Sequence, residues 1–74
     1  MNIVDFVIHL EPELPLDQRI QLESEMGDMD GVMSAHFTSH PHLMEVAYNP
    51  DLVDSNKLMG RVSQHGIAAQ KIGL

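Results

Sequence analysis

The first strand is the feature that most constrains the fold. The segment NIVDFVIHL, residues 2–10, alternates along its length. Val4, Phe6, Ile8 and Leu10 fall on one side of an extended chain, which is the period of a half-buried strand. The following EPELP ends the strand, because proline cannot donate a hydrogen bond to a sheet.

The next segment has the period of a helix. Pro15 fits a first helical turn, where its missing N–H would have no partner. Leu22, Met26 and Met29 follow at intervals of four and three residues, with acidic and polar residues on the other sides. This spacing predicts a helix from Pro15 to about Met29, and Gly31 ends the segment.

Two further strands, VMSAHFTSH and HLMEVAY, flank a proline. If His40-Pro41 forms a two-residue corner, Phe37 lies opposite Met44 and His36 lies opposite Glu45. The two apolar side chains then lie on one face of the sheet and the two polar side chains on the other, as a correct register requires. Because such corners usually contain Asn-Gly-like pairs, a slightly longer loop is equally compatible with the sequence.

A second helix and a last strand complete the chain. NPD signals a turn, Asp54 or Ser55 can cap the helix, and Gly66 provides a left-handed stop. Leu58, Met59 and Val62 are the apolar positions of the helix, and IAAQKIGL is the last strand. The order β-α-β-β-α-β predicts an α+β, ferredoxin-like sandwich, in which two helices cover one face of a four-stranded antiparallel sheet.

Several local motifs resemble those of the heavy-metal-associated domain, the module of small copper chaperones and of the tails of metal-pumping ATPases. Gly31-Val32 resembles the family's Gly-Val, and VAYNP at 46–50 resembles its Val-x-Tyr-Asp-Pro. HGIAA resembles the Gly-Tyr-x-Ala that follows the second helix, with Ile67 where an aromatic residue is usual. The resemblance implies a single domain over residues 1–74.

The family's metal motif, Met-x-Cys-x-x-Cys, is missing from this sequence. Counting back from Gly31 places the two cysteines at Pro15 and Gln18, and the chain contains no cysteine. A Cu(I) site with two thiolates is therefore excluded. The resemblance provides a scaffold and no ligand residue.

The net charge of the chain further limits the classes of function that the sequence allows. Eleven acidic residues against four Lys and Arg give a formal charge of −7. Nucleic-acid binding is not expected, since phosphates are bound by clustered cations. An acidic surface favours cations or a basic partner. No apolar run is long enough for membrane insertion, and the N-terminus lacks a basic lead and a small-residue cleavage site, which favours the cytoplasm.

The histidines suggest another metal chemistry. In this topology the exit of the first strand, the central hairpin and the exit of the second helix share one end of the domain. The residues predicted there as metal ligands are His9, Glu11, His40, His42 and His65. Imidazole and carboxylate suit a divalent transition metal such as Zn, Cu(II), Ni or Co.

Each of the five histidines also has a purely structural interpretation, and Glu11 can simply belong to a solvated acidic surface. His40 and His42 can be exposed hairpin residues, and His9 can be a strand residue that hydrogen-bonds a nearby acceptor. His65 can complement the negative end of a helix dipole. His36 is most simply a cross-strand partner of Glu45, and the methionines fill the core.

These observations favour a small soluble metal-binding protein, either a chaperone-like or a buffering carrier. A metal transporter or another protein is the expected partner, and a homo-oligomer is compatible with the sequence. The alternative is a metal-free interaction module that kept the scaffold and lost the ligands. A small-molecule regulatory domain of similar topology is a third interpretation. No catalytic motif or cleft is predicted, so the chain is not expected to be an enzyme.

Overall fold

A computed structural model describes residues 2–72. The elements follow the predicted order: β1 Val4–Glu11, α1 Leu16–Gly27, β2 Val32–Phe37, β3 Leu43–Tyr48, α2 Ser55–Ser63 and β4 Ala68–Ile72. The four strands form one sheet in the order β2-β3-β1-β4, and every neighbouring pair is antiparallel. The ferredoxin-like prediction is confirmed. No helix among the described residues is long and apolar enough to cross a membrane.

The register of the β2–β3 hairpin is the predicted one. His36 pairs with Glu45, and Phe37 pairs with Met44. The corner differs by one residue, since the N–H of Leu43 donates to the carbonyl of His40 at 3.0 Å. Pro41 therefore occupies the second position of the turn, where its fixed φ is favourable, and of the two predicted connections the slightly longer loop is the one that forms. His42 is the third residue of this turn and directly precedes β3.

The helices begin close to the predicted residues. Pro15 precedes α1 as its cap residue, and its carbonyl accepts from the N–H of Arg19 at 2.9 Å. Asp54 caps α2, where its Oδ1 accepts from the N–H of Lys57 at 2.8 Å. Gly66 adopts the predicted left-handed conformation, with φ of 75°. Part of the predicted last strand, residues 73–74, lies outside the described residues.

The alternation of β1 separates two faces of the sheet. Phe6, Ile8 and Leu10 are buried under the helices. Leu22 and Met26 of α1, and Leu58 and Val62 of α2, pack on that side in the same core. No helix within residues 2–72 covers the other side. Its strand positions, here called the open sheet face, are Asp5, Val7, His9, Glu11, Ser34, His36, Leu43, Glu45, Ala47, Ala68, Gln70 and Ile72.

Met33 is an exception to the predicted core. Met26 and Met44 are fully buried, and Met29 and Met59 pack against the core. Met33 is exposed, at 54% of its surface. The register shifts between Val32 and Ser34, and Met33 is the unpaired residue of this bulge. A bulge cannot be read from the apolar pattern of the segment.

Candidate metal centre

His9 and Glu11 lie two residues apart on the open sheet face, near the end of β1. The strand period places both side chains on the side away from the helices. His9 is 33% exposed and Glu11 61% exposed, and the distance from His9 Nε2 to Glu11 Oε1 is 3.6 Å. His9 pairs with Leu43 of β3, so the residue before Leu43 lies beside this pair.

That residue, His42, is fixed by the backbone of Leu10. The N–H of Leu10 donates to the carbonyl of His42 at 2.9 Å. In the opposite direction, His42 Nδ1 lies 2.8 Å from the carbonyl oxygen of Leu10. A carbonyl can only accept, so Nδ1 carries the proton and donates. In the neutral ring the lone pair is then on Nε2, which is how metal-binding imidazoles are commonly oriented.

The three side chains converge. One ligand atom each from His9, Glu11 and His42 lies within 4.8 Å of the other two. The two imidazoles are stacked, with ring centroids 5.7 Å apart and planes 11° apart. Tetrahedral zinc ligands stand about 3.3 Å from one another, given bonds of about 2.0–2.1 Å. Small rotations of these partly exposed side chains are therefore needed to close the set around an ion.

Two further residues lie close to His42. Glu13 Oε1 is 3.8 Å from His42 Nε2, and sequence reasoning did not assign Glu13 as a ligand. The His40 ring lies 5.6 Å from the His42 ring. His40 Nδ1 accepts a long hydrogen bond, 3.4 Å, from the N–H of His42. His40 is therefore a neighbour of the three-residue cluster and not part of it.

His65, the remaining predicted ligand, has another partner. Its Nε2 lies 2.7 Å from Glu25 Oε2 on α1. The hydrogen bond from His65 holds the pKa of the Glu25 carboxyl below its usual value, although burial acts in the opposite direction. His65 thus links the segment that follows α2 to α1. His36 likewise has its own partner, Glu45, at 3.5 Å on the open sheet face.

The lowered pKa of Glu25 predicts how the His65–Glu25 pair affects stability. A carboxylate with a lowered folded pKa stabilises the fold above its unfolded pKa, near 4.3. This contribution is lost as the pH falls through the folded pKa. In a double-mutant cycle of Glu25→Gln and His65→Asn, denaturant unfolding should give a favourable coupling at pH 6 that becomes smaller as the pH is lowered to 3. Equal coupling at both pH values would show that the ionised carboxylate is not the cause.

The fold of this chain is similar to that of several solved metal-binding domains. No protein-family model and no curated protein matches this sequence. A copper-binding domain from HMA7, a P-type ATPase, superposes with a TM-score of 0.82 at 14% identity, covering 93% of each chain. The CopZ metallochaperone gives 0.80 at 18% identity, over 90% of this chain and 100% of that one.

The third comparison is the N-terminal domain of the zinc(II) ATPase ZiaA, with a TM-score of 0.79 at 16% identity. It covers 99% of this chain and 73% of that one. This chain has the fold of a heavy-metal-associated domain. At these identities the likeness concerns the fold alone. This chain contains no cysteine, so a dithiolate Cu(I) site does not fit the residues present.

Proposed function

We propose that this chain is a carrier of a divalent transition metal, which it binds through His9, Glu11 and His42. The observation that supports the proposal is the convergence of three ligand atoms within 4.8 Å of one another. Two imidazoles and a carboxylate match the ligand preferences of Zn, Cu(II), Ni and Co(II). The three structural neighbours are a copper-binding domain, a metallochaperone and the N-terminal domain of a zinc ATPase.

The local structure favours a carrier over a closed structural site. Three protein ligands leave a coordination position of a four-coordinate ion open. His42 is fixed by Leu10, whereas the Glu11 side chain is mostly exposed to solvent. An incoming ligand can approach the ion from solvent and replace Glu11 first. A metal transporter or another protein that offers such a ligand is the partner we propose.

Isothermal titration of the tag-free, chelator-treated protein with zinc is the test. We expect one zinc ion per chain, and weaker or no binding of Mg²⁺, which prefers oxygen ligands. Sedimentation with and without chelator is the companion measurement. A stable assembly that ignores chelator, together with no heat from Zn, Cu(II), Ni or Co, would contradict the carrier and support the metal-free interaction module.

A further inference from the structure

The open sheet face differs in charge from the helix side. Its formally charged strand residues are the carboxylates Asp5, Glu11 and Glu45. All four Lys and Arg side chains of the chain lie elsewhere. Arg19 is in α1, and Lys57 and Arg61 are in α2. Lys71 is in β4, but it pairs with the buried Ile8 and its Nζ donates to Ser55 Oγ at the start of α2.

The same face contains a concavity of about 270 Å³. Val7, Ala47 and Ile72 contribute apolar surface to it, while Asp5 and Glu45 contribute carboxylates. Asp5 pairs with Ala47 and Val7 pairs with Glu45 across the β1–β3 ladder. The two carboxylates are therefore diagonal neighbours with apolar side chains between them. This surface matches the aliphatic stem and cationic head of a Lys or Arg side chain.

We propose that the open sheet face is a docking surface for a basic protein segment, with Asp5 and Glu45 as its charged contacts. Among the described residues, no Lys or Arg side chain lies on this face, so a partner's Lys or Arg meets carboxylates without such a counter-charge. His36, 3.5 Å from Glu45, compensates that carboxylate only when it is protonated. The charges accelerate and orient the encounter, and the apolar concavity adds contact area.

The position of this surface gives it a role in metal transfer, a point that rests on the proposed function. Asp5, Val7, His9 and Glu11 succeed one another on the same face of β1. Val7 and His9 are about 7 Å apart along the strand, at 3.3–3.4 Å per residue. A segment docked over Asp5 and Val7 therefore reaches the exposed side of the metal ligands. Its own ligand can then take the open coordination position.

The test uses the metal-free protein and a defined probe, so that it does not depend on metal binding. The probe is a capped hexapeptide of alternating lysine and valine. Its binding is monitored at low salt by NMR of the protein's backbone amides. We expect shifts centred on Asp5, Val7, Glu45 and Ala47, and weaker binding as salt rises. A matched peptide of alternating glutamate and valine should not bind.

Charge reversal identifies the surface. The double variant Asp5→Lys/Glu45→Lys should bind the lysine peptide at least about tenfold more weakly, because two attractive contacts become repulsive. Asp28→Lys/Asp51→Lys makes the same change in net charge away from the open sheet face and should bind like the parent. An equal loss in both variants, or shifts centred on the helices, would overturn the docking surface. Loss of zinc binding with peptide binding intact would count against the proposed function alone.

Discussion

Replacing His42 by asparagine should weaken zinc binding by about 100-fold or more while the fold is retained. Asparagine can still donate its amide N–H to the carbonyl of Leu10, as Nδ1 of His42 does. It lacks the nitrogen that corresponds to Nε2, so the ligand alone is removed. Even residues that only support a ligand are worth about 10–100-fold in metal affinity, and loss of the ligand itself should cost more. Isothermal titration with zinc measures the change.

The chain offers two matched controls for this substitution. His36→Asn removes an imidazole from the same open sheet face but outside the cluster, and should change the zinc affinity less than about twofold, given that His36 pairs with Glu45. His40→Asn tests whether His40 is itself a ligand or only a neighbour of the cluster, because its ring lies only 5.6 Å from that of His42. The proposed ligand set is wrong if His40→Asn, and not His42→Asn, abolishes binding.

Gly31→Ala should be among the most destabilising single substitutions in this chain. Gly31 has φ of 93°, and a Cβ there would lie 2.8 Å from Val53 Cγ1 and 2.9 Å from Leu52 Cβ. A left-handed backbone costs a residue with a Cβ about 1–2 kcal/mol, and overpacking adds about 1–3 kcal/mol. We expect a loss of about 2–5 kcal/mol in the free energy of unfolding, out of about 5–15 kcal/mol for a typical domain.

Denaturant unfolding measures this loss, and Gly60→Ala is the control. Gly60 lies within α2, and a Cβ there would meet no atom within 4 Å. Alanine should therefore stabilise α2 by about 0.5–1 kcal/mol, because it loses less backbone entropy than glycine. If alanine stabilises the protein at both positions, a Cβ at position 31 does not clash with Leu52 and Val53, and this result would contradict the structure.

The fold was predictable because its signals are local and agree with one another. The alternation of β1 and the apolar spacing of α1 and α2 each identify one element and its buried face. The hairpin register followed from matching apolar and polar partners across two strands. The bulge at Met33 and the turn at Pro41 and His42 depend on backbone geometry that leaves no mark in the apolar pattern.

The candidate site was predictable only in part, because it joins segments distant in sequence. Topology places His9 and His42 near each other, but the bond from His42 to the Leu10 carbonyl depends on one strand register. His65 was expected at the same end of the domain, and it instead bonds Glu25 because α1 and α2 are adjacent on the sheet. The spacing of apolar residues along each helix does not indicate how far apart the two helices lie.

Locating the bound ion tests the central claim most directly. Crystals of the tag-free protein grown with one equivalent of zinc should be measured on both sides of the zinc absorption edge. An anomalous peak about 2.0–2.1 Å from one nitrogen each of His9 and His42, with a Glu11 oxygen beside it, is the result we predict. A peak elsewhere on the chain, or no peak in protein shown to be saturated with zinc, would contradict the site.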